Sequence, residues 1–289
     1  MLQKQPITTV PGPTKRHRGF WLSASFLLLL IPWHHAILRS AYRLGQNIDV
    51  AKTRATLAHW PQITTPHFRL YYPPGERTQA EWTLAALKRA LSKEEANLQE
   101  IPPNRLTVVL YASQAAMNRA VGINASANNI GYDYEGVIDI LSPSAWMANT
   151  PSARSRYLAS GPAPHELGHA LLNLKAQGNY PNWFNEGVAQ YEDWRSTGYL
   201  WLTRSNSLKG RLYSMEELTK NFYGLPNQSL AYREGFSLVQ YLEQSQGQHA
   251  FHRFLDDLQG GQSFSEALTH VYHLSSPAAL FKAWQTALR

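Results

Sequence analysis

The clearest chemistry in this sequence lies in His165-Glu166-Leu167-Gly168-His169, two histidines four residues apart with a glutamate between them. On a helix, residues i and i+4 lie one above the other on the same face. Both imidazoles can then reach a single zinc ion, while Glu166 stands beside it to take a proton. A five-residue pattern with three fixed positions also occurs in helices that bind nothing, so a third ligand is needed. Glu186 supplies it, within Trp183-Phe-Asn-Glu186-Gly-Val-Ala-Gln190-Tyr-Glu192. Two histidines and a glutamate are one of the known catalytic zinc sets, with a fourth position left for water.

These residues need two helices and a turn. Apolar spacing predicts helices over 155–174 and 181–194, joined through Ala176-Gln-Gly-Asn-Tyr180. Antiparallel packing of this pair would bring Glu186 opposite the two histidines, with Gly187 allowing close helix approach and Trp183 and Phe184 packing the hairpin. Upstream, alternation predicts strands over 67–72, 106–111 and 136–141. Helices are expected over 78–98 and 113–121, the second capped by Ser113, with the loop-rich segment 122–136 after it. Downstream, 199–202 reads as a short hairpin-like stretch. Helices follow over 215–221, 229–244, 248–258, 263–272 and 277–288. Strands come first and helices after, which is an α+β layout with a small sheet.

The amino-terminal region has a different character. Residues 1–18 are polar and basic and read as disordered; 19–38 read as a signal anchor or signal peptide; 39–62 form a connector; 63–289 form the catalytic-type domain. The uninterrupted apolar run from Phe20 to Trp33 would be ~21 Å long as a helix, and extending it through Leu38 gives ~28 Å, near the hydrocarbon thickness. No small-x-small cleavage pattern follows it, which favours an anchor. The basic flank before the run predicts a cytoplasmic amino terminus and an extracytoplasmic domain, or a secreted one if 19–38 are removed. No further apolar run of this length follows.

Composition narrows the function. The net charge is +7, but Lys4, Lys15, Arg16, Arg18, Arg39 and Arg43 fall in a stretch without acidic residues, and the body is close to neutral. No nucleic-acid surface is expected. The chain has no cysteine, which removes disulfides, thiolate metal sites and thiol nucleophiles together.

The two motifs together resemble the gluzincin zinc metallopeptidases, in their peptidase MA-like bacterial branch. The likeness extends to the strands 67–72 and 106–111, to Gly131-Tyr-Asp-Tyr-Glu-Gly-Val-Ile-Asp-Ile140, and to Ala231-Tyr-Arg-Glu-Gly-Phe-Ser-Leu-Val-Gln-Tyr-Leu242. It covers about 63–289. It implies a zincin-like domain with one Zn2+ on His165, His169 and Glu186, Glu166 as general base, and a peptide or protein substrate. It further implies an oxyanion donor on a later helix, for which Tyr232 is the candidate. An edge strand at Val137–Leu141 would pair with substrate through Val137, Ile138, Asp139 and Ile140. Thermolysin-like relatives place an aspartate where this chain has Gln190, the residue expected to orient a zinc histidine. No amino-terminus-capturing signature is evident, so an endopeptidase is the expectation, anchored to the membrane by its amino-terminal helix. The alternative is an inactive relative that keeps the fold as a tethered peptide-binding or scaffolding module.

Overall fold

The computed structural model describes residues 31–124, 127–134 and 136–288. The apolar run up to Leu30 and the basic segment before it lie outside these residues. Among the described residues, no helix is long and apolar enough to cross a membrane.

The first described element, α1 (Ile31–Thr56), crosses the expected anchor–connector boundary without a break. Tyr42, Gln46, Val50 and Arg54 recur every fourth residue and form one stripe along the helix. Tyr42 hydrogen-bonds to Asn173, and Gln46 and Val50 lie against Gly136. Arg54 donates to the Thr107 hydroxyl and the Arg105 carbonyl. The connector is therefore docked along its length.

Two short strands follow, β1 (Gln62–Thr64) and β2 (Phe68–Tyr71). Then come α2 (Arg77–Leu98), β3 (Leu106–Tyr111) and α3 (Gln114–Val121), whose Ser113 side chain caps the Ala116 amide as expected. β4 (Gly131–Tyr134) and β5 (Val137–Leu141) complete a five-stranded sheet in the order β1-β2-β3-β5-β4. β2, β3 and β5 are parallel, and β1 and β4 run antiparallel on the two flanks.

The sheet corrects one expectation directly. Val137–Leu141 is not the edge strand, because β4 covers its outer side, pairing Gly131 with Ile140 and Tyr132 with Asp139. Every residue of β5 is buried. The edge is β4, inside the segment read as loop.

Alternation divides the sheet into two faces. Val108, Leu110, Ile138 and Ile140 join the main core under the helices. Val109, Tyr111, Val137 and Leu141 turn the other way, into a smaller cluster with Met117 of α3 and, from the α1 end, Val50, Leu57 and Trp60.

The helix expected over 155–174 is two helices, α4 (Ala153–Ser160) and α5 (Ala163–Ala176). Gly161 is extended and Pro162 caps α5, with Pro164 in its first turn, where proline's missing N–H costs nothing. Gln177 and Gly178, both in the left-handed region, turn the chain into α6 (Asn182–Thr197). The stretch 199–202 forms no hairpin. The remainder is helical, as the apolar spacing requires: α7 (Met215–Asn221), α8 (Gln228–Gln246), α9 (Gln248–Gly260), α10 (Phe264–Tyr272) and α11 (Pro277–Ala287). Phe184 anchors this half, its ring 5.2 Å from Phe264 and 5.7 Å from Phe254 and Trp183. Its complete burial contributes ~2–3 kcal/mol.

Candidate active site

α5 presents His165 and His169 one turn apart, and α6 presents Glu186 to both. The two Nε2 atoms are 3.1 Å apart and lie 3.3 Å and 3.4 Å from Glu186 Oε2. All three ligand atoms fall within 4.8 Å of one another. The Nδ1 of His169 is 2.9 Å from Asn185 Oδ1. A carboxamide oxygen can only accept, so Nδ1 carries a hydrogen and Nε2 is the nitrogen turned toward His165 and Glu186. Glu186 Oε2 is buried and, among the described residues, has no hydrogen-bond partner. Two Nε2 atoms and a buried carboxylate oxygen converging on one point have the chemistry of a cation site once the imidazoles are neutral. His165, His169 and Glu186 fit one metal ion.

The three groups are strongly coupled electrostatically. Burial pulls the His165 imidazole below its usual range, against the neighbouring Glu186. At His169 burial acts the same way but loses to Glu186 and Glu166, which hold the ring up at about 10. Burial would raise Glu186, yet the two histidines hold it well below the usual carboxylate range.

Glu166 is 5 % exposed, and burial pushes its carboxyl up to about 8, with His169 opposing and Glu186, Asp133 and Asp139 adding to the rise. Its wall is the edge strand. A Cβ on Gly131 would sit 2.4 Å from Glu166 Oε1, so any side chain at this position of β4 would displace the Glu166 carboxyl. Two residues on, Asp133 accepts from Asn173 Nδ2 at 2.5 Å. The two β4 residues on this face thus meet two α5 residues on one face.

The two tyrosines on the other side arrive through a close helix crossing. A Cβ on Gly187 would fall 2.4 Å from the Gly235 carbonyl oxygen. Gly187 therefore serves the approach of α6 to α8, not to α5, where Gly168 makes the contact with Ala189. This crossing sets Tyr232 of α8 toward Glu186. Its phenol is held far above the usual range by burial, then by Glu186, Tyr223 and Glu166. Tyr223, on a 3-10 turn over Phe222–Gly224, donates to Glu186 Oε1 at 2.8 Å.

The structure thus gathers His165, Glu166, His169, Glu186 and Tyr232, and adds Asn185, Tyr223 and Gly131. Two expectations fail. Among the described residues Gln190 makes no hydrogen bond to either zinc histidine; Asn185, the residue before the ligand, meets the second nitrogen of His169. Val137, Ile138, Asp139 and Ile140 are interior sheet residues, with Asp139 on the face away from α5, and cannot pair with a substrate backbone.

Residues 156–289 match the profile of the Peptidase MA superfamily, and they include the His165, His169 and Glu186 group that could hold one metal ion. Among solved structures, an M1 zinc metallopeptidase from Deinococcus radiodurans is similar at 15 % identity and a TM-score of 0.42. The match covers 78 % of this chain and 50 % of that one, so the chain spans half its length. No curated protein matches the sequence significantly.

Proposed function

We propose that this chain is a membrane-tethered zinc peptidase that hydrolyses peptide bonds with Glu166 as general base. One observation carries the reading: Glu186 Oε2 is orphaned between two inward Nε2 atoms, with the buried Glu166 beside His165. His165, His169 and Glu186 would hold the metal. When bound, zinc acidifies a water toward a pKa of about 7 and polarises the scissile carbonyl.

Glu166 receives the proton as the water oxygen bonds to the carbonyl carbon, then passes it to the amine nitrogen as the C–N bond breaks. A carboxyl raised by burial suits both halves of that transfer. Tyr223 and Tyr232 keep their phenolic protons in this acidic surrounding and are the donors available to a developing oxyanion. β4 is the strand available for backbone pairing with an extended substrate, with Gly131 bringing that backbone against Glu166. The absence of an amino-terminus-capturing motif favours an endopeptidase. The apolar run 20–33 and its basic flank support a tether with the domain outside the cytoplasm.

Glu166→Gln tests the chemistry. The variant should retain one zinc per chain and lose hydrolysis of a quenched peptide library; equal cleavage by both proteins would sink the mechanism. Zinc binding without cleavage by the wild type would instead indicate the peptide-binding module.

A further inference from the structure

On the far side of the sheet from the metal lies a cavity of about 520 Å3, within the range of small-molecule sites. α1 roofs it and α3 forms its flank. Its floor contains Asp139, in the middle of a strand whose residues are all buried. A carboxylate placed there costs free energy unless something compensates it. Within the protein its side-chain partner is neutral, the Tyr111 phenol, which donates at 2.8 Å. Its charge adds to the rise at Glu166, but it bonds neither to that group nor to the metal ligands, because Asp139 shares its sheet face with Val137 and Leu141.

We infer that this cavity is a second ligand site, taking an amino acid or short peptide with an apolar first side chain. The α-ammonium would meet Asp139, the apolar side chain would lie along Trp60, and the carboxylate would reach the mouth. Four features point to this class. Asp139 is 5 % exposed and lines the cavity, so it calls for a buried cation. Trp60 stands edge-on to Tyr111 with centroids 6.4 Å apart, making an aromatic wall. Lys52 of α1 and Arg119 of α3, both exposed, flank the mouth against the single acid Asp49, which suits an anionic end. Burial pushes the Asp139 carboxyl up to about 7, although the Tyr111 hydrogen bond opposes the rise; an ammonium would reverse it.

Calorimetry on the full chain, with phenylalanine, Phe-Gly and N-acetyl-Phe-Gly as probes, tests the site. Saturable binding of phenylalanine or Phe-Gly is expected, and their ratio tells whether a free amino acid or a peptide terminus is preferred. Acetylation, which removes the ammonium, should weaken binding about tenfold or more. Asp139→Asn should do the same. Ala120→Trp, on an exposed helix position, should block the cavity while leaving Asp139, Tyr111 and the melting temperature unchanged. Zinc content should be equal in all three proteins, so failure here leaves the metal centre untouched. The inference is overturned if the wild type shows no saturable binding at millimolar probe, if the acetylated peptide binds equally, or if Ala120→Trp binds as the wild type does.

Discussion

The Tyr42 phenol donates to Asn173 Oδ1 at 3.0 Å, and Asn173 stands one turn beyond His169 on α5. The same carboxamide oxygen also accepts from Tyr180, while its nitrogen donates to Asp133 of β4. Through Asn173, α1 is therefore linked to both the metal helix and the edge strand.

Removing that contact should loosen the docking of α1 without exposing an unpaired acceptor, because Tyr180 remains. Tyr42→Phe is expected to cost about 1 kcal/mol, or roughly 2–4 °C in Tm for a domain of this size. Differential scanning calorimetry of the zinc-loaded protein would measure it. No change in Tm would show that α1 is not held at this point.

Gly131 offers a sharper handle on activity. Alanine there would place a methyl 2.4 Å from Glu166 Oε1, and the carboxylate would have to move. A displacement near 1 Å at a catalytic group can cost about 100-fold in rate. Gly131→Ala should therefore lose peptide hydrolysis by about that factor while binding one zinc per chain, as metal analysis and a peptide assay would report. Full activity would mean that β4 does not set the position of Glu166.

What was legible in the sequence followed from periodicity. His165, His169 and Glu186 lie on helices with clear apolar spacing, so the metal set and the helix pair are legible in the sequence. β4 is not. Gly131-Tyr-Asp-Tyr134 contains residues that strands avoid, and it is a strand because β5 offers it a ladder. Missing it made β5 look like the edge. The break at Gly161-Pro162 was hidden because apolar spacing continues across it. Tyr223 sits on a 3-10 turn with no periodic signal. Asn185 carries no signal of its own in the sequence, because an asparagine beside a ligand orients a histidine only through the helix geometry that brings its Oδ1 to His169 Nδ1.

That last point can be tested directly. Outer partners that fix a ligand histidine typically account for 10–100-fold in metal affinity. Asn185→Ala should weaken zinc binding by about that much in a chelator competition, whereas Gln190→Ala should leave it unchanged. Asn185→Asp, which keeps an acceptor toward His169 Nδ1, should recover the affinity. Loss in the Gln190 variant alone would reverse the assignment.

Behind the site, Glu192 of α6 and Glu94 of α2 are fully buried. Glu192 accepts from Asn97 Nδ2, and Glu94 from the Ser196 hydroxyl. Burial pushes Glu192 up to about 8, with Asn97 and Arg195 opposing and Glu243 adding to the rise. Glu94 is raised as well, by burial, Glu192 and Asp193. A carboxyl whose folded pKa exceeds its unfolded value holds its proton more tightly when folded. Stability is then lost as pH climbs from about 4.5, the ordinary glutamate value, through about 8, and the full penalty applies above that. Urea unfolding should give a lower midpoint at pH 9 than at pH 6. Glu192→Gln keeps an acceptor for Asn97 and removes one titrating group, so it should narrow that difference. An unchanged pH dependence in the variant would show that Glu192 is already ionised at neutral pH, and that the charge is compensated within the α2–α6 interface.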